Sequence, residues 1–177
     1  PGDRVTFDST VYCGDCWHCR RGEINLCDDR RVLGVSCAEY RRHGAFAEFV
    51  TVPQRILYRI PDAVSFEQAA TVEPVSLAVH AVGRLPVRLG DTAVVVGSGM
   101  IGLLAIQALR AAGCGRIRAV DVDRGRLELA AKLGASDTLS PEDGEVAAAV
   151  VERTAGCGAD LAIEAVGLPV TVDAAIH

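Results

Sequence analysis

The sequence is poor in aromatic residues, which make up 5% of its 177 residues, and it holds a single Met and a single Trp. No apolar run approaches the length needed to cross a bilayer. The longest candidate, 92–112, is interrupted by Gly97, Gly99 and Gly102 and carries Gln107 and Arg110. No basic block appears. Lys and Arg total 18 against 23 Asp and Glu, for a formal net charge of -5, and the signs are interspersed. That balance argues against nucleic acid as the main partner and against a polybasic membrane contact. A charged leader followed by an apolar stretch is also missing, so no signal peptide is visible. The chain begins at Pro1 and not at Met, which reads as a cut from a longer protein and leaves a lost leader open. No low-complexity linker or internal repeat stands out.

Half of the residues are apolar, and Ala, Val, Leu and Gly are abundant. This composition suits an α/β protein with parallel strands and small-residue helix packing. Two regions differ in character. Residues 1 to about 75 are mixed, with expected strands over 3–7, 45–53 and 56–60 and an amphipathic segment over 65–71. Ser65 is the expected N-cap, with Gln68 three residues on. From about Leu77 the pattern alternates. Strands are expected over 92–96, 117–120, 138–139 and 160–166. Helices are expected from the glycine turn to Ala112, over 124–133 and 142–154, and from near Val170. Alternation at this spacing implies βαβ units and a parallel sheet.

Seven cysteines are present, and four of them, Cys13, Cys16, Cys19 and Cys27, crowd into fifteen positions. An odd total with one tight cluster is a poor disulfide framework and a good metal signature. A reducing, cytoplasmic setting follows. The spacing Cys-x2-Cys-x2-Cys-x7-Cys lets four thiolates reach one tetrahedral ion, with Gly14 and Gly22 turning the backbone around it. Four sulfurs leave no open position, so the site is expected to be structural. An iron–sulfur cluster is the rival. The bacterial ferredoxin run ends Cys-x3-Cys-Pro, whereas here the last gap is seven and Asp28 follows, which favours zinc. His18 reads as a solvated loop residue, because the sulfurs already complete the site. Cys37, Cys114 and Cys157 read as ordinary small residues.

The run Val94-Val95-Val96-Gly97-Ser98-Gly99-Met100-Ile101-Gly102 is strand, G-x-G-x-x-G, then helix. Gly97 permits a tight turn, Gly99 lets the backbone approach a pyrophosphate at the positive helix end, and Gly102 lets the helix lie close on the strand. Alone the motif is weak. It gains from Asp121, nineteen positions beyond Gly102 at the end of the next strand. A carboxylate there accepts hydrogen bonds from the adenosine ribose hydroxyls of NAD and repels the extra phosphate of NADP. Arg124 and Arg126 lie near enough to soften that preference.

Taken together, these motifs resemble the zinc-dependent medium-chain dehydrogenases, in particular the sorbitol (polyol) dehydrogenase branch. The resemblance is carried by Gly2-Asp3-Arg4-Val5, the cysteine quartet, Gly44-Ala45-Phe46-Ala47-Glu48-Phe49, Glu73-Pro74, His80-Ala81, the glycine turn, Asp121 and Arg126-Leu127-Glu128. It implies that residues 1–75 are part of a β-rich, GroES-like catalytic domain with a structural zinc lobe. Residues 76–177 would then be part of a Rossmann doubly wound sheet that binds NAD. It implies zinc on Cys13, Cys16, Cys19 and Cys27, and cofactor contacts at Gly97, Gly99, Ile101, Gly102, Asp121 and Arg126. Val166, in Ala165-Val166-Gly167 at a strand end, is expected on the nicotinamide side.

Glu73 lies where the polyol branch places an acid at a catalytic zinc, as ligand or through water. The implied reaction takes a secondary alcohol or polyol to a ketone, with zinc as Lewis acid and hydride passing to NAD. The substrate is a small molecule, and the parent is expected to be a homo-oligomer. In the family the remaining catalytic ligands, a Cys and a His-Glu pair, precede the position of Pro1. The piece alone is therefore expected not to turn over substrate. Where the family loop usually has Gly-Gly before the Phe, this chain has His43-Gly44-Ala45-Phe46; His43 reads as a loop residue, and His80, which the resemblance places on a helix near the domain junction, reads as a packing or capping residue. Two other readings stand beside this one: a non-catalytic zinc- and nucleotide-binding module, and an NADP-dependent reductase of the same superfamily.

Overall fold

The computed structural model describes residues 2–35 and 39–176, which leaves Cys37 outside the described residues. Its contacts divide the chain into two compact units, Pro1–Thr71 and Val72–His177. Among the described residues no helix is long and apolar enough to cross a membrane.

The first unit is built from short strands: β1 (Val5–Phe7), β2 (Thr10–Val11), β3 (Arg31–Leu33), β4 (Arg41–Arg42) and β5 (Leu57–Arg59). β1 and β5 pair antiparallel, with Thr6 opposite Tyr58. β2 pairs antiparallel with β3, and β3 runs parallel to β4. The core is small: Val11, Leu33 and Ile56 are buried, with Phe7, Tyr12 and Val52 packed around them. One-turn helix α1 (Trp17–Arg20) sits in the cysteine loop, and α2 (Phe66–Ala69) follows β5. The expected cap on α2 is complete. Ser65 Oγ accepts from the Gln68 N–H while Gln68 Oε1 accepts from the Ser65 N–H. Arg4 ties this corner down, donating to the Val64 carbonyl at 2.6 Å and lying over the Phe66 ring.

The segment expected as a strand over 45–53 forms none. Its alternation is real, but a strand needs neighbours for its N–H and C=O groups, and no ladder forms there among the described residues. Phe46 and Phe49 stand exposed.

The second unit opens with α3 (Val72–Gly83), the helix on which the resemblance places His80 and which the residue pattern alone does not mark. Pro74 does not break it. It occupies the first turn, where a missing N–H costs nothing. Then come β6 (Thr92–Val96), α4 (Met100–Ala111), β7 (Arg116–Val120), α5 (Arg124–Lys132), β8 (Asp137–Leu139), α6 (Val146–Arg153), β9 (Leu161–Glu164) and α7 (Pro169–Ile176). The expected helix over 142–154 is broken. A 3-10 turn, Pro141–Asp143, precedes Gly144, and Glu145 caps α6 by accepting from the Ala147 and Ala148 N–H groups.

The four strands lie parallel in the order β8-β7-β6-β9. Apolar side chains of β6 alternate between faces. Ala93 and Val95 join Ile106 and Leu109 of α4 and Leu127 and Ala130 of α5. Val94 and Val96 join Val120, Leu139, and Val146 and Val150 of α6. Helices on both faces with the first strand inside the sheet make a doubly wound arrangement. Its chain reverses direction beside β6, and ligands of such sheets bind outside the carboxyl ends at that point.

One charge lies inside this unit. The Arg118 side chain on β7 is 5% exposed, its Nη2 donates to the Arg153 carbonyl at 2.8 Å, and its Nε lies 3.6 Å from Asp137 Oδ2. The same oxygen takes a 2.6 Å bond from Arg153 Nη1. Replacing Asp137 by Ala leaves the Arg118 charge uncompensated, and removing one partner of a fully buried pair costs several kcal/mol. Asp137 keeps 32% of its side-chain surface, so a loss of about 2 kcal/mol is expected in urea-unfolding midpoints.

Candidate functional site

Two sites emerge, one in each unit. In the first, the cysteine loop folds its sulfurs together: Sγ of Cys13, Cys16, Cys19 and Cys27 all lie within 4.8 Å of one another. Cys13 and Cys19 Sγ are 3.8 Å apart. A tetrahedral ion with Zn–S bonds of about 2.3 Å requires sulfur separations of about 3.8 Å. Backbone N–H groups point at the sulfurs, from Cys13 to Cys27 Sγ and from Cys16 to Cys13 Sγ at 3.3 Å, and from Cys19 to Cys16 Sγ at 3.5 Å.

By themselves the sulfurs do not share one protonation state. The Cys19 N–H draws Cys16 down to about 6. A hydrogen bond to the Asp15 carboxylate pushes Cys13 up to about 12, and burial pushes Cys19 up. A divalent cation removes this conflict, because a coordinating thiol is deprotonated outright. The donor set, spacing and N–H···S bonds all fit zinc. His18 takes no part, since its Nδ1 lies 3.0 Å from Glu23 Oε2. Trp17 stacks under the Arg21 guanidinium at 4.5 Å.

In the second unit the turn after β6 is shaped by close approach. Gly97 has φ +95°, and a Cβ there would lie 2.6 Å from Val166 Cγ2. A Cβ on Gly102 would lie 1.8 Å from the Gly97 carbonyl oxygen, so α4 can rest on β6 only because that atom is missing. Gly99, the N-cap of α4, faces open space: nothing lies within 4 Å of where its Cβ would be. The helix thus presents free N–H groups toward an unobstructed side, a ready anion site. Ser98 is fully buried and its Oγ has no hydrogen-bond partner. An orphaned hydroxyl within the turn leaves a polar atom for a bound group to satisfy.

Asp121 follows the end of β7 with its side chain 7% exposed. Oδ2 accepts from the Ser98 N–H at 2.7 Å, and Oδ1 accepts from the Asp123 N–H at 2.9 Å. A carboxylate has about four acceptor positions, so two remain for other hydroxyls. Asp121 therefore holds the glycine turn in place as well as offering oxygen atoms beside it. Arg126 Nη1 lies 3.9 Å from Asp121 Oδ2, and Ile101 is partly buried in the first turn of α4.

Val166, as noted, abuts Gly97. It is held by Glu164, which the sequence reading missed. Glu164 Oε1 accepts from the Val166 and Gly167 N–H groups at 2.8 and 2.9 Å and from Thr171 Oγ1 at 2.7 Å. These donors, the Gly167 N–H foremost, hold its carboxyl below the usual range. The legible signal was an acid closing a strand two residues before its own turn.

Glu73 lies in the first turn of α3 with an exposed side chain, and it joins no group of three or more potential metal ligands among the described residues. His80 is exposed near the end of the same helix, and His43 follows β4 in an exposed loop. Cys114 is buried, with its thiol donating to the Asp91 carbonyl, and Cys157 is exposed.

The first unit thus carries a sulfur quartet with metal-ligand geometry, and the second a doubly wound sheet with a glycine turn. Residues 1–62 match the alcohol dehydrogenase GroES-like domain, and residues 101–177 match the zinc-binding dehydrogenase domain. Sorbitol dehydrogenase of Bacillus subtilis is 34% identical over 175 residues, covering 99% of this chain and 48% of the relative. The crystal structure of 2R,3R-butanediol dehydrogenase from the same organism superposes with a TM-score of 0.85 at 39% identity, over 99% of this chain and 48% of that one. A zinc-binding dehydrogenase of Sinorhizobium meliloti, solved bound to NADP, has a TM-score of 0.88 at 33% identity, over 97% and 49%. Across both matched domains the chain is similar to the zinc-dependent medium-chain dehydrogenases and is polyol dehydrogenase-like. It spans about half the length of the curated relatives it matches.

Proposed function

We propose that the protein is an NAD-dependent dehydrogenase that oxidises a secondary alcohol or polyol to a ketone. Residues 1–75 serve as part of the catalytic domain and 76–177 as part of the nucleotide domain. The observation that carries the reading is the pinned Asp121 carboxylate beside the open face of Gly99. Bound NAD supplies the hydride acceptor, and zinc supplies Lewis acidity at the alcohol oxygen as well as the cross-link of the sulfur lobe.

The chain's own residues bind and orient. Gly97, Gly99, Ile101 and Gly102 shape the pyrophosphate cradle. Asp121 accepts the ribose hydroxyls, with Arg126 beside it, and Val166 walls the nicotinamide side under the hold of Glu164. Cys13, Cys16, Cys19 and Cys27 keep the structural zinc. Glu73 serves the catalytic zinc, as ligand or through water. The substrate is a small alcohol, the compartment cytoplasmic and the assembly a homo-oligomer, with no nucleic-acid or membrane partner. The relatives named above, a sorbitol and a butanediol dehydrogenase, support the substrate class.

Steady-state oxidation of a polyol and diol panel by the whole protein tests this reading. NAD-linked ketone formation is expected, and Glu73→Ala is expected to lower turnover at least about tenfold. Unchanged turnover with unchanged zinc content in that variant would remove Glu73 from the site.

A further inference from the structure

We propose that Asp143 sets the cofactor preference of the dinucleotide site by occupying Arg124, the guanidinium otherwise open to the 2'-phosphate of NADP. This inference rests on the dinucleotide reading above and names the residue pair that tunes it. Arg124 opens α5, three residues beyond Asp121. Asp143 comes from a different element, the 3-10 turn after β8. The two meet because β7 and β8 end side by side, with the Asp121 N–H donating to the Leu139 carbonyl.

The contact is fork to fork. Arg124 Nη1 donates to Asp143 Oδ2 at 2.7 Å and Nη2 to Oδ1 at 2.5 Å. Paired N–H···O bonds of this kind fix the guanidinium plane and cancel its charge. The Asp143 carboxyl is held below the usual carboxylate range by Arg124, so the pair stays ionised. The other cation, Arg126, lies 3.9 Å from both Asp121 and Asp123 carboxylate oxygens. With Glu142 adjacent to Asp143, four carboxylates face two guanidiniums around the place a 2'-substituent would take.

A ribose 2'-phosphate adds nearly two negative charges there and meets Arg124 already paired and Arg126 set between two carboxylates. An arginine near the ribose acid is the device by which related sheets accept that phosphate. Here the arginine is present and engaged. The pair contributes little to stability, because the two side chains remain 56% and 61% exposed. Its removal is therefore not expected to unfold the protein.

The test is calorimetric titration of NAD and NADP into the whole protein, into Asp143→Asn, and into Asp143→Asn combined with Arg124→Gln. The amide keeps the side chain's size and releases the guanidinium. The ratio of NADP to NAD affinity is expected to rise on the order of tenfold in Asp143→Asn. It is expected to return to the parent value when Arg124 is also replaced. An unchanged ratio, with NAD still binding, overturns the clamp alone. So does a gain that survives Arg124→Gln. If neither dinucleotide binds the unaltered protein, the dinucleotide reading falls and the clamp falls with it.

Discussion

Gly102→Ala is expected to abolish dinucleotide binding, with a loss of affinity of roughly a hundredfold or more. The added Cβ would sit 1.8 Å from the Gly97 carbonyl oxygen and 2.9 Å from its carbon. Both are backbone atoms, so no side-chain rotation relieves the overlap. Either α4 lifts from β6 or the turn at Gly97 opens. Lifting α4 carries its N-terminal N–H groups away from the pyrophosphate, and opening the turn breaks the Ser98 bond to Asp121. Overpacking of this kind also destabilises by about 1–3 kcal/mol.

Gly99→Ala is the informative companion. It meets nothing within 4 Å and its backbone is extended, so folding should be unaffected. Its methyl group projects into the side where a pyrophosphate must approach, so NAD binding should still weaken. Calorimetric titration of NAD, with urea unfolding in parallel, separates the two effects. Equal NAD affinity in both variants and the parent would contradict the cradle.

Stripping the metal, or replacing Cys27 by Ser, is expected to unfold the first unit. Among its described residues that unit buries a small apolar cluster around Val11, Leu33 and Ile56, with Ile60 and Ala69 buried besides. Small cores of this size need a staple. Zinc in small zinc peptides contributes about 10–16 kcal/mol, more than the net stability of a typical domain. Cys27 is fully buried, and its sulfur also receives the Cys13 N–H.

The protein carries its own reporter, because its only Trp is Trp17, inside the cysteine loop. Chelation should erase the near-ultraviolet dichroism that Trp17 gains from Arg21 and His18. The helical signal of the second unit should persist, since its core contains none of the quartet. A zinc-free protein with unchanged Trp17 dichroism would contradict a structural role for the metal.

The features that the sequence displayed plainly were local ones. Cys13, Cys16 and Cys19 lie within seven positions, and the glycine turn and its helix are contiguous, so spacing alone constrained the chemistry. β6 and α5 began where the pattern placed them, because a β-branched run and helical periodicity are short-range signals. What escaped depended on partners far along the chain. The alternation at 45–53 is a strand signal without a ladder to join. α3 was marked only through the resemblance at His80, and its extent, with Pro74 in the first turn, came from the structure. Gly144 and Glu145 split one expected helix into a turn and α6.

The same limit hid the working partners of the site. The motif marks Asp121 as a candidate ribose acid, but its bond to the Ser98 N–H links residues 23 positions apart. Asp143 meets Arg124 across 19 positions, and Glu164 folds back on Val166 and Gly167 from a strand end. No periodicity announces such contacts. They arise only once β7, β8 and β9 are laid beside β6.

The most direct measurement is an equilibrium titration of NAD into the zinc-loaded protein, with adenosine 5'-monophosphate as competitor. The account predicts saturable binding of one NAD per chain, displaced by the adenosine nucleotide and lost in Gly102→Ala. A folded, zinc-replete protein that takes up no NAD at millimolar concentration would contradict it.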